Sequence, residues 1–176
     1  MGYDRGSMRR VTAQSLQNAA LFYLKRHSAS VLHLKRVLTR KVQRFNRLEK
    51  GKEPVDATAL IAALVEKLVE QGYLDDSRLA DQKSSSLRRS GRSARMIRAK
   101  LQEKGLGAQV DRVSEPAADE DAIWVHARKK RLGPFAPPEK RKERRMKDLA
   151  SMARAGFSFA LAKKVVDATE VPAREP

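Results

Sequence analysis

Few side chains in this sequence have the type and spacing needed for chemistry on a substrate. Cysteine is absent, which excludes disulfides, thiol catalysis and cysteine-based zinc sites. The three histidines, His27, His33 and His126, form no H-x-x-x-H pair and lack an acidic cluster, so we expect surface or boundary residues rather than metal ligands. Gly51-Lys52 lacks the other residues of a phosphate-binding loop. These patterns predict a protein that is not an enzyme and needs no cofactor or metal.

The adjacent carboxylates Asp75 and Asp76 fall in a predicted turn, after Gly72 and before a predicted helix. A magnesium site would need a third carboxylate at ligand spacing, and none follows. Carboxylates at the start of a helix accept hydrogen bonds from its free N–H groups and complement its positive end. The sequence therefore predicts that this pair caps helices.

Positive charge is the dominant feature of the composition. The chain has 38 Lys and Arg against 21 Asp and Glu, a formal net charge of +17, concentrated in the runs 25–52, 83–104 and 128–147. Nucleic acid, an acidic membrane surface or an acidic protein groove could accept such a surplus. Solubility alone is the alternative, but a solvated surface normally mixes both signs. The candidate contacts with a protein partner or DNA are Lys35, Arg36, Arg40, Arg88, Arg92, Arg95, Arg98, Arg128, Lys129, Lys130, Arg131, Arg144 and Arg145.

Helices must position these charges, because apolar residues recur at three- and four-residue steps throughout the chain. The seven prolines fall between the periodic segments. No run of about 18 apolar residues could span a membrane, and we expect a cytoplasmic protein. Helices are predicted at about 13–26, 31–47, 56–71, 77–89, 94–104, 108–114, 119–132, 139–154 and 158–169.

An internal repeat organises these helices. Ser30 and Ser93 are each followed by an apolar residue at +4, a basic residue at +5 and Leu at +8, which is the pattern of an N-capped helix. Arg145 begins a weaker third copy, in which arginine replaces the capping serine. Three helices also end at a glycine followed by an apolar residue expected to fold back, as in Gly72-Tyr73, Gly105-Leu106 and Gly156-Phe157.

The repeats predict an all-α fold of three tandem three-helix units, elongated and resembling helix-turn-helix repeats with right-angle turns. The expected boundaries are a flexible N-terminus at 1–12, repeats at 13–72, 73–115 and 116–169, and a disordered tail at 170–176. Each unit is too small to bury much core alone, so neighbouring units should support one another.

The stretch Gly72-Tyr73-Leu74-Asp75-Asp76-Ser77-Arg78-Leu79-Ala80 resembles the central signature of the RecX family. The similarity continues through Gly91, Ile97, Leu101 and Gly105-Leu106, and covers about residues 16–168. Ala20-Leu21, Ser30, Leu34 and Leu38 resemble the family's first helices, and the run 154–158 its C-terminal motif. The chain departs from the pattern at His33, Met96 and Ala155 and in the long spacer 46–54.

The resemblance implies a regulator of the RecA recombinase. Members of the family bind in the groove of the RecA filament on single-stranded DNA and inhibit ATP hydrolysis, strand exchange and coprotease activity. We therefore expect a monomer that binds the RecA filament, and binds free single-stranded DNA more weakly and without sequence preference. The alternative is a stand-alone DNA-binding protein, for which residues 152–166 could form a helix-turn-helix.

Overall fold

The computed structural model describes residues 10–49, 52–113 and 119–171. Within those ranges the chain is all-α, with nine α-helices, short 3₁₀ turns and no β-strand. Most of the predicted flexible N-terminus and most of the predicted tail lie outside the described residues. The helices are α1 Ala13–Leu24, α2 Val31–Leu48, α3 Thr58–Glu70, α4 Asp76–Arg89, α5 Ala94–Glu103, α6 Val110–Val113, α7 Asp119–Lys130, α8 Arg141–Arg154 and α9 Phe159–Val166.

The chain divides into two compact units, and the boundary falls within α4, between Leu79 and Ala80. The division into three repeats, with boundaries after residues 72 and 115, stays a prediction. In the first unit α1, α2 and α3 bury one face each against a common apolar core, which Leu74 completes. In the second unit α7, α8 and α9 build a core around Ile123, Met152 and Val165.

Local side-chain caps explain where several helices begin. Thr12 and Ser15 form a reciprocal capping box at the start of α1. Ser30 Oγ accepts a hydrogen bond from the His33 N–H (3.1 Å) and Ser93 Oγ accepts one from the Met96 N–H (3.3 Å). The prediction that these serines cap α2 and α5 is therefore confirmed.

The predicted third copy of the capping pattern is wrong in its position. Arg145 lies inside α8, which begins at Arg141, so it cannot cap that helix. Ser158 is the third capping serine, because its Oγ accepts a hydrogen bond from the Leu161 N–H at the start of α9. Ala162 at +4, Lys163 at +5 and Val166 at +8 complete the pattern, with smaller apolar residues than in the first two copies.

The predicted glycine ends of α3, α5 and α8 are confirmed. The residue after each glycine donates its N–H to the carbonyl five positions earlier, at 2.9, 2.8 and 3.3 Å. Leu106 and Phe157 then fold back and are buried. Tyr73 does not, since 58% of its surface is exposed, and Leu74 takes the buried position instead.

The two acidic side chains that begin α4 and α7 make the same kind of contact. Asp76 Oδ1 accepts a hydrogen bond from the Val31 N–H at the start of α2 (3.0 Å). Asp119 Oδ1 accepts one from the Ala94 N–H at the start of α5 (2.7 Å). Each therefore satisfies a free N–H that the capping serine leaves open. Burial is the main cause of the raised pKa of Asp76, since it penalises the charged carboxylate.

Candidate interface for an anionic partner

The longest helix, α2, carries a continuous basic face. Its buried side, formed by Leu34, Leu38 and Val42, packs into the core of the first unit. Helical geometry then directs the opposite side to solvent, and the predicted contacts Arg36 and Arg40 are both exposed there. Lys35, the third prediction on this helix, is half-buried at the border of the face.

Two more arginines belong to this face although they were not among the predicted contacts. Arg44 and Arg47 are exposed and continue the stripe of Arg36 and Arg40 at three- and four-residue steps. The sequence alone could have predicted their position, because residues three and four positions apart lie on one side of a helix. We call the exposed arginines 36, 40, 44 and 47 the α2 arginine face.

Arg88, by contrast, is used inside the protein. Its Nη1 lies 2.6 Å from Asp119 Oδ1, and the two side chains are only 18% and 13% exposed. Because the same carboxylate caps α5 through the Ala94 N–H, this ion pair joins α4, α5 and α7. Arg88 therefore holds the second unit together at the position where the sequence predicted a partner contact.

Arg144 and Arg145 also face carboxylates of their own chain. Arg145 donates from Nε and Nη2 to the two oxygens of Asp167, at 2.6 and 2.7 Å. These hydrogen bonds lower the pKa of Asp167. Arg144 Nε lies 3.8 Å from Asp148, which is 2% exposed and also accepts a hydrogen bond from the Gly133 N–H. Arg145 thus links α8 to the residue that follows α9, and Arg144 lies beside a buried carboxylate of its own helix.

The predicted contacts around α5 are exposed as expected. Ile97 and Leu101 are fully buried, while Arg92, Arg95 and Arg98 face solvent. Arg98 lies 3.4 Å from Asp111 in an ion pair whose side chains are 49% and 92% exposed. Such a pair contributes little to stability and exchanges easily with an external anion.

The structure brings Arg92 together with residues of α7 that are far away in the sequence. Gly91 adopts a φ of 77° and packs on the α7 backbone, so a Cβ placed on it would lie 2.8 Å from the His126 nitrogen. Lys129 on α7 reaches back and donates to the Arg89 carbonyl at 3.5 Å. Arg89, Arg92, Lys129 and Lys130 therefore form a basic cluster where the end of α4 meets α7, and we call it the α4–α7 cluster.

His126 lies beneath this cluster and is not the surface or boundary residue that the sequence suggested. It is 9% exposed, its ring is 5.7 Å from that of Phe157, and its Nε2 has no hydrogen-bond partner among the described residues. Its pKa is lowered, first because burial penalises the imidazolium and then because Arg92, Lys130 and Lys129 repel it. The α7 backbone places a weak base where a full charge would be unfavourable.

The remaining predicted contacts lie at the end of α7. Arg128 places its guanidinium 5.7 Å from the centre of the Phe135 ring. Arg131 is exposed and has a φ of 53°, the left-handed conformation that ends the helix and lets the Leu132 N–H bond to the Ala127 carbonyl. Arg131 is therefore also a helix-terminating residue.

In the described ranges no group of three or more His, Asp or Glu side chains is arranged to hold a metal ion. Asp75 caps its own helix by accepting from the Arg78 N–H at 2.8 Å, as predicted. The part of the chain that the structure describes also lacks a helix long and apolar enough to cross a membrane.

The sequence is similar to two curated bacterial proteins along most of its length. It is 50% identical over 167 residues to the regulatory protein RecX of Myxococcus xanthus, covering 90% of this chain and 88% of the relative. It is 32% identical over 157 residues to the regulatory protein RecX of Agrobacterium fabrum, covering 85% of each chain. The chain belongs to the RecX family. No family model and no solved structure matches it.

Both RecX relatives are named regulatory proteins rather than enzymes. The fold gives a physical reason for the residue types in the RecX signature. Gly72 takes the left-handed end of α3, Leu74 is buried, and Asp75 and Asp76 cap two different helices. Leu79 and Ala80 are buried where α4 passes from one unit to the other. The residues of the signature thus have structural roles. The α2 arginine face and the α4–α7 cluster lie outside it.

Proposed function

We propose that this protein regulates the RecA recombinase by binding in the groove of the RecA filament on single-stranded DNA. Binding there inhibits ATP hydrolysis, strand exchange and coprotease activity. The observation that carries the proposal is the 50% identity to a regulatory protein RecX over 90% of the chain. The protein acts as a monomer and needs no metal or cofactor of its own.

The charge distribution supports an extended anionic partner. The α2 arginine face and the α4–α7 cluster lie in different units, and each is a group of exposed cations. A filament groove offers DNA phosphates and acidic side chains, both of which accept charge-assisted hydrogen bonds from arginine. The cations available to such a groove are the exposed ones that pair with no carboxylate of their own chain.

The test is RecA ATP hydrolysis on single-stranded DNA, titrated with the full chain at about 50 mM and about 200 mM salt. We expect hydrolysis to fall with added protein, and the half-maximal concentration to rise steeply with salt because bound cations displace counterions. Uninhibited hydrolysis at a large molar excess in low salt would overturn the proposal.

The same assay compares two surfaces. Replacing Arg92, Arg95 and Arg98 with glutamate should leave folding intact, because surface changes usually shift stability by about 0.5 kcal/mol or less. A loss of inhibition with normal melting would assign the second unit a direct contact with the filament. Full inhibition would move the contact to the α2 arginine face or to the exposed run 128–131.

A stand-alone DNA-binding protein is the second candidate, since α8 and α9 are separated by only four residues, as in a helix-turn-helix. The exposed cations of the second helix, Lys163 and Lys164, suit phosphates better than base edges. Tight binding to duplex DNA without an effect on RecA would favour this candidate.

A further inference from the structure

His126 is a buried base whose capacity for hydrogen bonding is not filled. The residue is 9% exposed, and its Nε2 has no hydrogen-bond partner among the described residues. Buried polar side-chain atoms nearly always have a partner, so an exception needs a physical or functional reason. On one side the ring lies near Phe157, which has no ionisable group, with 5.7 Å between the ring centres.

The charged groups that act most strongly on this imidazole are cations. Arg92 follows Gly91, which packs so closely on α7 that a Cβ there would lie 2.8 Å from the His126 nitrogen. Lys129 and Lys130 follow His126 by three and four positions, so they lie on the same side of α7. Burial first, and then these three cations, lower the pKa of His126, and no carboxylate is among the causes.

The same three cations are open to an external anion. Arg92, Lys129 and Lys130 are exposed, and none forms an ion pair with a carboxylate of the described residues. A protonated imidazole has donors on both ring nitrogens and carries a charge, so a buried one needs an anion nearby. An oxyanion on the α4–α7 cluster would supply that charge and would also reduce the repulsion among the cations.

We propose that His126 couples proton uptake to anion binding at the α4–α7 cluster. A bound oxyanion of the phosphate type favours the imidazolium, and the imidazolium in turn strengthens the binding of the anion. The coupling is reciprocal because proton and anion bind the same protein. The second unit therefore binds anionic partners more tightly as the pH falls. This inference deepens the proposed function and rests on it for its biological setting, but the coupling itself can be measured without RecA.

The probe is sulfate, which stays fully ionised over the pH range in which histidine titrates. Nuclear magnetic resonance follows the ring C–H signals of the three histidines from about pH 8 to about pH 5, and His126→Gln identifies the signal of His126. The titration is run in sodium sulfate and in sodium chloride at equal ionic strength, so chloride accounts for general screening. His27, which is exposed in the first unit, is the internal control.

We expect sulfate to raise the pKa of His126 by about 0.5–1 relative to chloride, since one charge acts on another across a few ångströms near the protein surface. Because the coupling is reciprocal, the affinity for sulfate should rise by the same factor, about three- to tenfold, once His126 is protonated. The change in the His126 signal with added sulfate at each end of the pH range measures that affinity.

Two double variants with the same loss of charge test whether the cluster is responsible. The test variant carries Arg92→Gln and Lys130→Gln. The control carries Arg95→Gln and Lys164→Gln, which remove exposed cations of the second unit that are not among the causes of the lowered His126 pKa. We expect the test variant to have a higher His126 pKa in chloride and a small further rise in sulfate. The control should titrate like the wild-type chain.

The proposal is overturned if sulfate moves the titration of His126 no more than that of His27, or if the two variants respond alike. A short oligothymidylate replaces sulfate in a second series. A shift with both probes extends the coupling to nucleic-acid phosphates, and a shift with sulfate alone assigns it to small free anions. Inhibition of RecA is measured separately at constant pH, so its absence would overturn the proposed function without affecting the measured coupling.

Discussion

Gly91 is the position where we expect a single added methyl group to lower the free energy of unfolding most. Its φ of 77° is left-handed, and a Cβ there would lie 2.8 Å from the His126 nitrogen, 3.1 Å from the His126 Cα and 3.2 Å from the Ala122 carbonyl oxygen. All three atoms belong to the backbone of α7, which cannot move aside as a flexible side chain could. Gly91→Ala must therefore push α7 away from the turn between α4 and α5.

The magnitude follows from two separate costs. A left-handed alanine costs about 1–2 kcal/mol relative to glycine, and overpacking against a rigid neighbour costs about 1–3 kcal/mol. We therefore expect Gly91→Ala to lower the free energy of unfolding by about 2–5 kcal/mol. Gly72→Ala is the matched control, because Gly72 has a φ of 73° but no atom within 4 Å of the new Cβ. It should cost only the backbone strain, about 1–2 kcal/mol.

Urea denaturation measures both effects. The fluorescence of Trp124, the one tryptophan, follows the second unit around Gly91, and circular dichroism follows the loss of helix in either unit. The reasoning is refuted if both variants lose the same free energy, because the contact with α7 would then contribute nothing beyond backbone strain.

Two further predictions concern buried charge in the second unit. Because the pKa of His126 is lowered in the folded protein, the unfolded chain takes up a proton first as the pH falls below the ordinary histidine pKa of 6.5. Stability should therefore decrease toward a pH of about 5.5. His126→Gln should flatten that part of the profile of urea midpoints, and an unchanged profile would contradict the assignment. Asp119→Ala should cost about 2–4 kcal/mol, because it removes both a largely buried ion pair with Arg88 and the cap on the Ala94 N–H. Asp111→Ala, which breaks an exposed ion pair, should cost less than about 1 kcal/mol, and equal losses in thermal melts would refute the distinction.

Much of the fold follows from interactions between residues close in sequence. Apolar residues at three- and four-residue steps located all nine helices of the described ranges to within a few residues. The caps at Ser30 and Ser93 and the glycine ends of α3, α5 and α8 were predictable because each motif closes within five residues. The family signature could also be recognised in the sequence, because its residues form the turn between α3 and α4.

The tertiary structure decided which charged side chains form ion pairs within the protein. Arg88 and Asp119 are 31 positions apart, and Arg145 and Asp167 are 22 apart, so no local pattern shows that these cations are already paired. In the same way, the sequence shows His126 only as a polar residue on a helix, and tertiary packing buries it, with Gly91 against its backbone and Phe157 near its ring. A sequence determines which residues are charged and which helix face they occupy. Whether a carboxylate from another part of the chain lies against that face depends on how the helices pack. This packing distinguishes Arg88 and Arg145, which pair with distant carboxylates, from the arginines of α2, which pair with no described carboxylate.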